Sequence, residues 1–390
     1  MITSEVSVKA DETAIDELLA AALRGETSAW PEAWPPALGI ERVLYHGIAG
    51  LIAERGREVA DWPSDLTEPV RAQAIAQAMW EMRHKPLLAD LLAAFAEAGI
   101  SALLLKGSAL AYDLYPAPAA RSRGDSDVLV APADLEQARL VLGRLGFVRA
   151  SDDDIAVDGL ALQEVWSAPG DGGAWHHIDL HWQLLNAPAL ARVMSFDVCA
   201  EAPLALPRLS PVAIAMSRVA TLVHTSIHRA MHITSPYFVD GVTYYGGDRL
   251  IWANDIDLLA GALCDEEWRA FSALAVRQGV AAVSLDGLRM AQRSLGTEIP
   301  RPVLDALGAA GDEPASAYLL GSGQAERAWR DLRAIRGLTR KLAYLAARAL
   351  PSASFMRAKY PELERSPLAL LHARRMVDLI RPRPDRKKPG

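Results

Sequence analysis

The sequence predicts an α+β fold, a small mixed-sheet unit set between two helical regions. Three observations carry that expectation. Apolar residues recur at helical spacing through the first 99 residues. From Ile100 the pattern changes to short apolar runs bounded by glycine, which suit strands. Beyond Leu184 the helical spacing returns and continues.

The elements follow in order. "ETAIDELLAAALRG" carries a helical stripe and stops at Gly25, a residue suited to the left-handed turn after a helix. "PALGIERVLYHGIAGLIAERG" and "EPVRAQAIAQAMWEMRHKPLLADLLAAFAEAG" repeat the pattern around the turn-rich "DWPSD". "ISALLLK", between Gly99 and Gly107, reads as a buried strand, and "SALAYDLY" as a helix stopped by "PAPAA". "SDVLV" is a second strand. "APADLEQARLVLGRLG" is a helix with Pro132 near its first turn and Gly146 at its end. "FVRA" reads as a third strand, and "LQEVWSAPGDGGAWHHIDLHW" as two strands joined by a glycine-rich turn. The rest, including "PVAIAMSRVATLVHTSIHRAMH" and "RLIWANDIDLLAGAL", reads as helix. The expected organisation is an N-terminal helical region (1–99), a core (100–185), a C-terminal helical domain (186–380) and a basic disordered tail (381–390).

Composition narrows the class. Of 390 residues, 51% are hydrophobic and 23% charged, as in a globular chain with a large core. No apolar run approaches the ~18 residues of a membrane span, and the start lacks a signal-peptide pattern, so a cytoplasmic protein is expected. The two cysteines, Cys199 and Cys264, lack metal-site spacing and read as reduced core thiols. The net charge of −7 is unevenly spread. Residues 321–390 hold 17 Lys and Arg against six Asp and Glu, which leaves the first 320 residues at about −18. The split permits an anionic partner for the C-terminal part, or solvated helix faces followed by a charged tail.

The chemistry-bearing residues lie in the middle unit. Asp125 and Asp127 in "RSRGDSDVLV" share one face of a strand. Carboxylates that close repel each other and raise each other's pKa unless a cation lies between them. The pair therefore sits in a solvated turn or holds a metal. Mg²⁺ suits it, whereas a calcium loop does not, because apolar "VLV" follows where more oxygen ligands are needed. "LLLKGSAL" is a strand, a Gly107-Ser108 turn and a helix start, whose free N–H groups and hydroxyl suit phosphate but equally suit a plain cap. Asp179 of "HHIDLHW" shares a strand face with His177 and His181, while Ile178, Leu180 and Trp182 face the core.

The stretch from Leu103 to Phe147, with the later "IDLHW", resembles the uncharacterised nucleotidyltransferase family of the polymerase-beta-like superfamily. The resemblance implies a small polymerase-beta-like mixed sheet. It places Asp125 and Asp127 on the metal-binding pair, Asp179 on the third catalytic carboxylate, and Gly107 and Ser108 on the nucleotide-phosphate turn. Lys106 and Arg121 match the family's lysine before the glycine and its arginine before the first aspartate. Sixteen residues separate Ser108 from Asp125, more than in compact members of the superfamily. The implied activity is transfer of an NMP from an NTP to an acceptor hydroxyl, with two Mg²⁺ ions and release of pyrophosphate. The acceptor is a small molecule, a peptide, a protein or an RNA end, and the acidic body disfavours an extended nucleic acid. A non-catalytic nucleotide-binding or toxin–antitoxin-type regulatory module on the same fold is the alternative. A phosphotransferase releasing NDP would use the same metals.

The likeness extends to His224, His228, Arg249, Trp252 and Asp255. His224, His228 and His232 fall on one helical stripe. Three readings stand: a shared zinc, a cleft wall touching nucleotide or acceptor, or helix packing. Arg249 and Asp255 lack helical ion-pair spacing, so they read as cleft-lining, domain-bridging or plain surface residues. The arginine- and aromatic-rich segment from Ala349 to Ile380 reads as a wrap onto the preceding helices or as recognition of an anionic or peptide acceptor.

Overall fold

The structure, a computed structural model, describes residues 3–150, 163–170, 175–233, 236–239, 242–245, 247–351 and 366–380, with scattered positions between 352 and 365. The 381–390 tail and part of the glycine-rich turn lie outside the described residues.

Four helices come first: α1 (Thr3–Leu23), α2 (Pro36–His46), α3 (Ala49–Ala53) and the long α4 (Ser64–Glu97). Gly99 ends α4 with a left-handed φ of 74°, and the Ile100 N–H donates back to the Phe95 carbonyl at 2.9 Å. That 6→1 bond closes the helix and turns the chain into the sheet. There follow β1 (Leu103–Leu104), α5 (Lys106–Asp113), β2 (Asp125–Leu129), α6 (Leu135–Arg144), β3 (Val148–Arg149), β4 (Gln163–Pro169) and β5 (Trp175–His181). These are the elements the period change predicts. Strand β1 is shorter than the apolar run containing it, because the chain turns into α5 at Lys106.

The helical reading beyond Leu184 is corrected in two places. After α7 (Phe196–Cys199), β6 (Leu204–Ala205) and β7 (Ile214–Ala215) join the same sheet. After α8 (Arg218–His232), β8 (Pro236–Val239) and β9 (Val242–Tyr245) form a separate hairpin. Two-residue strands leave no period to read, so β6 and β7 are fixed by pairing rather than by pattern. Helices α9 (Leu250–Ala262), α10 (Asp265–Arg277), α11 (Ala281–Leu295) and α12 (Arg301–Gly308) complete the C-terminal bundle, and the short α13 (Pro314–Ser316) precedes α14 (Gln324–Ala334), α15 (Leu338–Ala349) and α16 (Leu368–Ile380). Met356, Tyr360 and Leu371 form a small cluster of their own. Of the two cysteines, Cys199 is buried and Cys264 exposed, which corrects the core reading for the second. Among the described residues no helix is long and apolar enough to cross a membrane.

The main sheet has the order β3-β4-β5-β2-β1-β7-β6. Strand β2 runs parallel to β5 and antiparallel to β1, and β1 runs parallel to β7. The sheet separates two cores. Leu103, Leu105 and Leu129 pack into the larger one with α8, α9 and α11. Leu104, Val128, Val130, Ile178 and Leu180 pack into the smaller one with α4 and α6. Strand alternation puts Asp125, Asp127 and Leu129 on one face and Ser126, Val128 and Val130 on the other. The carboxylates therefore look toward the C-terminal bundle, and Ser126 looks toward α4.

Candidate active site

Between the carboxylate face of the sheet, α2 to α4 and the α8–α9 pair lies a cleft of about 740 Å³. Its floor is set by strand register. Asp127 is the direct partner of Asp179 across the parallel β2–β5 pair, and Asp125 sits two residues earlier opposite His177. Asp125 is exposed at the mouth, Asp179 is half-buried and Asp127 is 5% exposed. The ligand atoms of Asp127, Asp179 and His181 lie within 4.8 Å of one another, close enough to share one cation. Among the described residues this is the group of three or more such ligands that the structure brings together, and neither Asp125 nor the α8 histidines belong to it.

The charges are unequally balanced. Desolvation pushes Asp127 up, but Lys106 and the hydrogen-bonded His181 outweigh it and hold its carboxyl below the usual range. Lys106 Nζ lies 2.5 Å and His181 Nε2 2.8 Å from the same Oδ1. Desolvation, then the Asp127 charge, raises Asp125 to about 6. Desolvation, then Asp127 and Asp125, raises Asp179 to about 8. Lys106 is paired with Asp127, while burial and the neighbouring carboxylates leave Asp125 and Asp179 with raised proton affinity.

The strand-to-helix turn differs from the expected one. The left-handed residue is Lys106, at φ 48°, while Gly107 has an ordinary φ. For a residue with a Cβ this conformation costs about 1–3 kcal/mol, held here by the Lys106–Asp127 ion pair. Gly107 sits beside Arg121, and a Cβ there would stand 3.4 Å from the guanidinium, an ordinary contact. Ser108 is the clearest departure. It is 2% exposed, and its Oγ lies 2.8 Å from Ser126 Oγ on the far side of the strand, so its hydroxyl does not face the cleft. A short side chain one helix position past the turn follows the helix inward, and that geometry was invisible in the pattern.

Arg121 lines the cleft, held by a carboxylate remote in sequence. Its Nε and Nη2 meet Asp255 at 2.8 and 2.7 Å, and Tyr115 donates to the same carboxylate at 2.7 Å. Asp255 is 2% exposed. It is a bridge between the core and α9 and does not line the cleft. Arg249 does line it, with Nε donating to the Tyr45 carbonyl at 2.6 Å. His224, His228 and His232 also line it, as the cleft-wall reading of the stripe requires.

Sequence reasoning missed the layer behind β2. His84 of α4, fully buried, shares Nε2 with Ser126 Oγ at 2.7 Å and Nδ1 with His176 Nδ1 at 3.2 Å. Burial, with Arg123 beside it, pushes His84 down to about 3, so the ring is neutral and each nitrogen can donate or accept. Trp80 stacks on it at 4.2 Å. Glu81, one residue on, takes hydrogen bonds from Arg123 and Tyr112. Together these fix Ser126, and so the aspartates on either side of it. Trp80, Glu81 and His84 fall within one helical turn, the only trace such a network leaves in the sequence.

The model of the uncharacterised nucleotidyltransferase family matches residues 40–296. No curated protein and no solved structure matches the chain. The matched stretch takes in the whole sheet, both walls of the cleft and every residue that lines it. The chain therefore belongs to the uncharacterised nucleotidyltransferase family and is a transferase of phosphorus-containing groups.

Proposed function

We propose that the enzyme moves a nucleoside monophosphate from an NTP to an acceptor hydroxyl and releases pyrophosphate. The observation that carries this reading is the in-register pairing of Asp127 with Asp179, with Asp125 on the same face and Lys106 against Asp127. The donor set fits a divalent ion. Asp125, Asp127 and Asp179 offer hard oxygen ligands of the kind Mg²⁺ takes, and His181, on the same face, is hydrogen-bonded to Asp127. When bound, two Mg²⁺ ions would supply charge neutralisation at the attacking and leaving oxygens.

The chain's own groups do the rest. Lys106, the backbone at Gly107 and Arg121 hold the triphosphate, and the α5 N-terminus adds positive potential. The hydroxyl oxygen forms a bond to the α-phosphorus as the bond from that phosphorus to the pyrophosphate oxygen breaks. Asp179, paired in register with Asp127 on the floor, takes the hydroxyl proton. The acidic body disfavours an extended template, so the hydroxyl belongs to a small molecule, a peptide, a protein side chain or an RNA end.

The test is calorimetric. Mg²⁺ with a non-hydrolysable NTP is titrated into the wild type and into the Asp125→Ala/Asp127→Ala variant. Metal-dependent binding in the first and none in the second is expected, and turnover of labelled NTP should yield pyrophosphate rather than NDP. A wild type that binds none of the four nucleotides would refute the reading.

A further inference from the structure

The wall of the cleft opposite the sheet is built from uncharged rings. His224, His228 and His232 project from successive turns of α8, and Trp252 of α9 packs against the last two. The His228 and His232 centroids are 4.4 Å apart, and Trp252 meets His228 edge-on at 5.9 Å. Trp252 is 4% exposed and backs the group, whereas His228 and His232 keep part of their surface open to the cleft. Packing alone would have been served by the aliphatic residues that fill the rest of this core.

Position along the helix gives the wall a direction. All three rings feel Lys106, and His224 also feels Asp127 and His181 of the floor. His224 is 2% exposed, and its Nδ1 has no hydrogen-bond partner among the described residues. His228 and His232 stand about 6 and 12 Å further along the axis. Arg249, anchored on the Tyr45 carbonyl and 5.8 Å from the Trp252 ring centroid, closes that end. A nucleotide with its α-phosphate at the carboxylates sends its triphosphate tail to the cations Lys106 and Arg121. Its sugar and base must leave in another direction. Burial keeps His228 and His232 uncharged at neutral pH, His232 lying at about 4, so they add no positive charge for the tail and present flat faces to the cleft. Flat neutral rings suit a flat neutral partner, which they engage by offset or edge contact.

We propose that His228 and His232, backed by Trp252, form the platform that receives the nucleobase of the NTP. This rests on the nucleotidyl-transfer reading and adds where the base lies and what holds it. Such a surface is tolerant of base identity, since every base has a π-face. The orphaned His224 Nδ1, between platform and carboxylates, lies where it meets a hydroxyl of the sugar.

The experiment compares two probes, Mg²⁺ with tripolyphosphate and Mg²⁺ with a non-hydrolysable NTP, on wild type, His228→Ser/His232→Ser and His228→Phe/His232→Phe. In the wild type the NTP should bind about ten- to a hundredfold more tightly than tripolyphosphate, the contribution expected of base stacking. The serine variant should lose that difference and keep its tripolyphosphate affinity, and the phenylalanine variant should retain the difference. Equal binding of the two probes by the wild type overturns the platform and leaves the nucleotidyltransferase reading standing. So does a serine variant that keeps the preference. If serine removes tripolyphosphate binding too, the rings shape the cleft rather than hold a base, and the proposal again falls. A wild type that binds neither probe removes the reading of the site itself.

Discussion

Asp255→Ala isolates the bridge between the sheet and the C-terminal bundle. Asp255 accepts from Arg121 Nε and Nη2 and from the Tyr115 hydroxyl, and the Asn254 amide donates to the same hydroxyl at 2.9 Å. The side chains of Arg121 and Asp255 are 11% and 3% exposed, so neither can recover its lost partner from bulk water. Removing one member of a buried pair leaves an uncompensated charge, which costs about 3–5 kcal/mol. The Tyr115 hydroxyl keeps the bond it accepts from Asn254 but loses the acceptor for its own O–H, a buried unsatisfied donor that adds about 1–3 kcal/mol. The replacement Arg121→Met/Asp255→Leu removes both charges and fills similar volume, and it should recover most of the loss.

The assay is urea unfolding followed by both circular dichroism and tryptophan fluorescence, because two probes reveal whether sheet and bundle separate. In Asp255→Ala the midpoint should fall, and the Arg121 guanidinium should lose its fixed place beside Gly107, so NTP affinity should fall with it. The double variant should be stable but still weak for NTP. A single variant that loses less than about 1 kcal/mol would show that water reaches Arg121, since that is the range of exposed pairs. The bridge would then not be what positions the cleft.

Two further perturbations test the floor and the back of the site. Asp125 and Asp179 are raised to about 6 and about 8, above the ordinary aspartate value near 4. A carboxyl whose folded pKa is raised stabilises least once pH exceeds that value, so the metal-free protein should lose stability from about pH 4 to pH 8. Mg²⁺ requires the ionised carboxyls, so its effect on the thermal midpoint should grow across the same window; a shift that stays flat from pH 5.5 to 8.5 would contradict it. Gly50→Ala should destabilise through backbone contact, since a Cβ there would lie 2.8 Å from the Ala120 Cα and 3.0 Å from the Ala120 carbonyl oxygen. The loss should be about 1–3 kcal/mol, the range for overpacking, and a midpoint equal to wild type would mean that α3 is free to move away from the turn before Arg121.

What was legible in the sequence was whatever repeats or sits next to its partner. The strand–turn–helix at Lys106 and the aspartates of β2 could be read because two-residue periodicity fixes which side chains share a face. The pairing of Asp127 with Asp179 could not be, because register between strands 52 residues apart in number is set by core packing on both faces. Ser108 shows the same limit at short range. Its place beside a glycine suggested phosphate, but helix phase turned its hydroxyl toward Ser126. Asp255 and His84 act on β2 and its approach from 134 and 42 residues away, as partners of Arg121 and Ser126 respectively. Neither distance leaves a local pattern. Strands β6 and β7 were hidden for the opposite reason, being too short to carry any period.

The coexistence of Asp125, Asp127 and Asp179 on one sheet edge needs a cation, and the chain supplies one of its own. Lys106 reaches Asp127 from a left-handed backbone position, and the strain is confined to one residue between β1 and α5. That single ammonium satisfies the most buried carboxylate and leaves the other two raised, a state that favours the arrival of further positive charge. Behind the strand the arrangement is reversed. His84, His176, Ser126 and Ser108 make up a chain of uncharged hydrogen-bonding groups beside the Glu81–Arg123 ion pair, and it holds β2 in place. A rigid neutral back and an under-neutralised front are what a metal-using carboxylate site requires. The first keeps the ligands within reach of one another, and the second supplies the attraction.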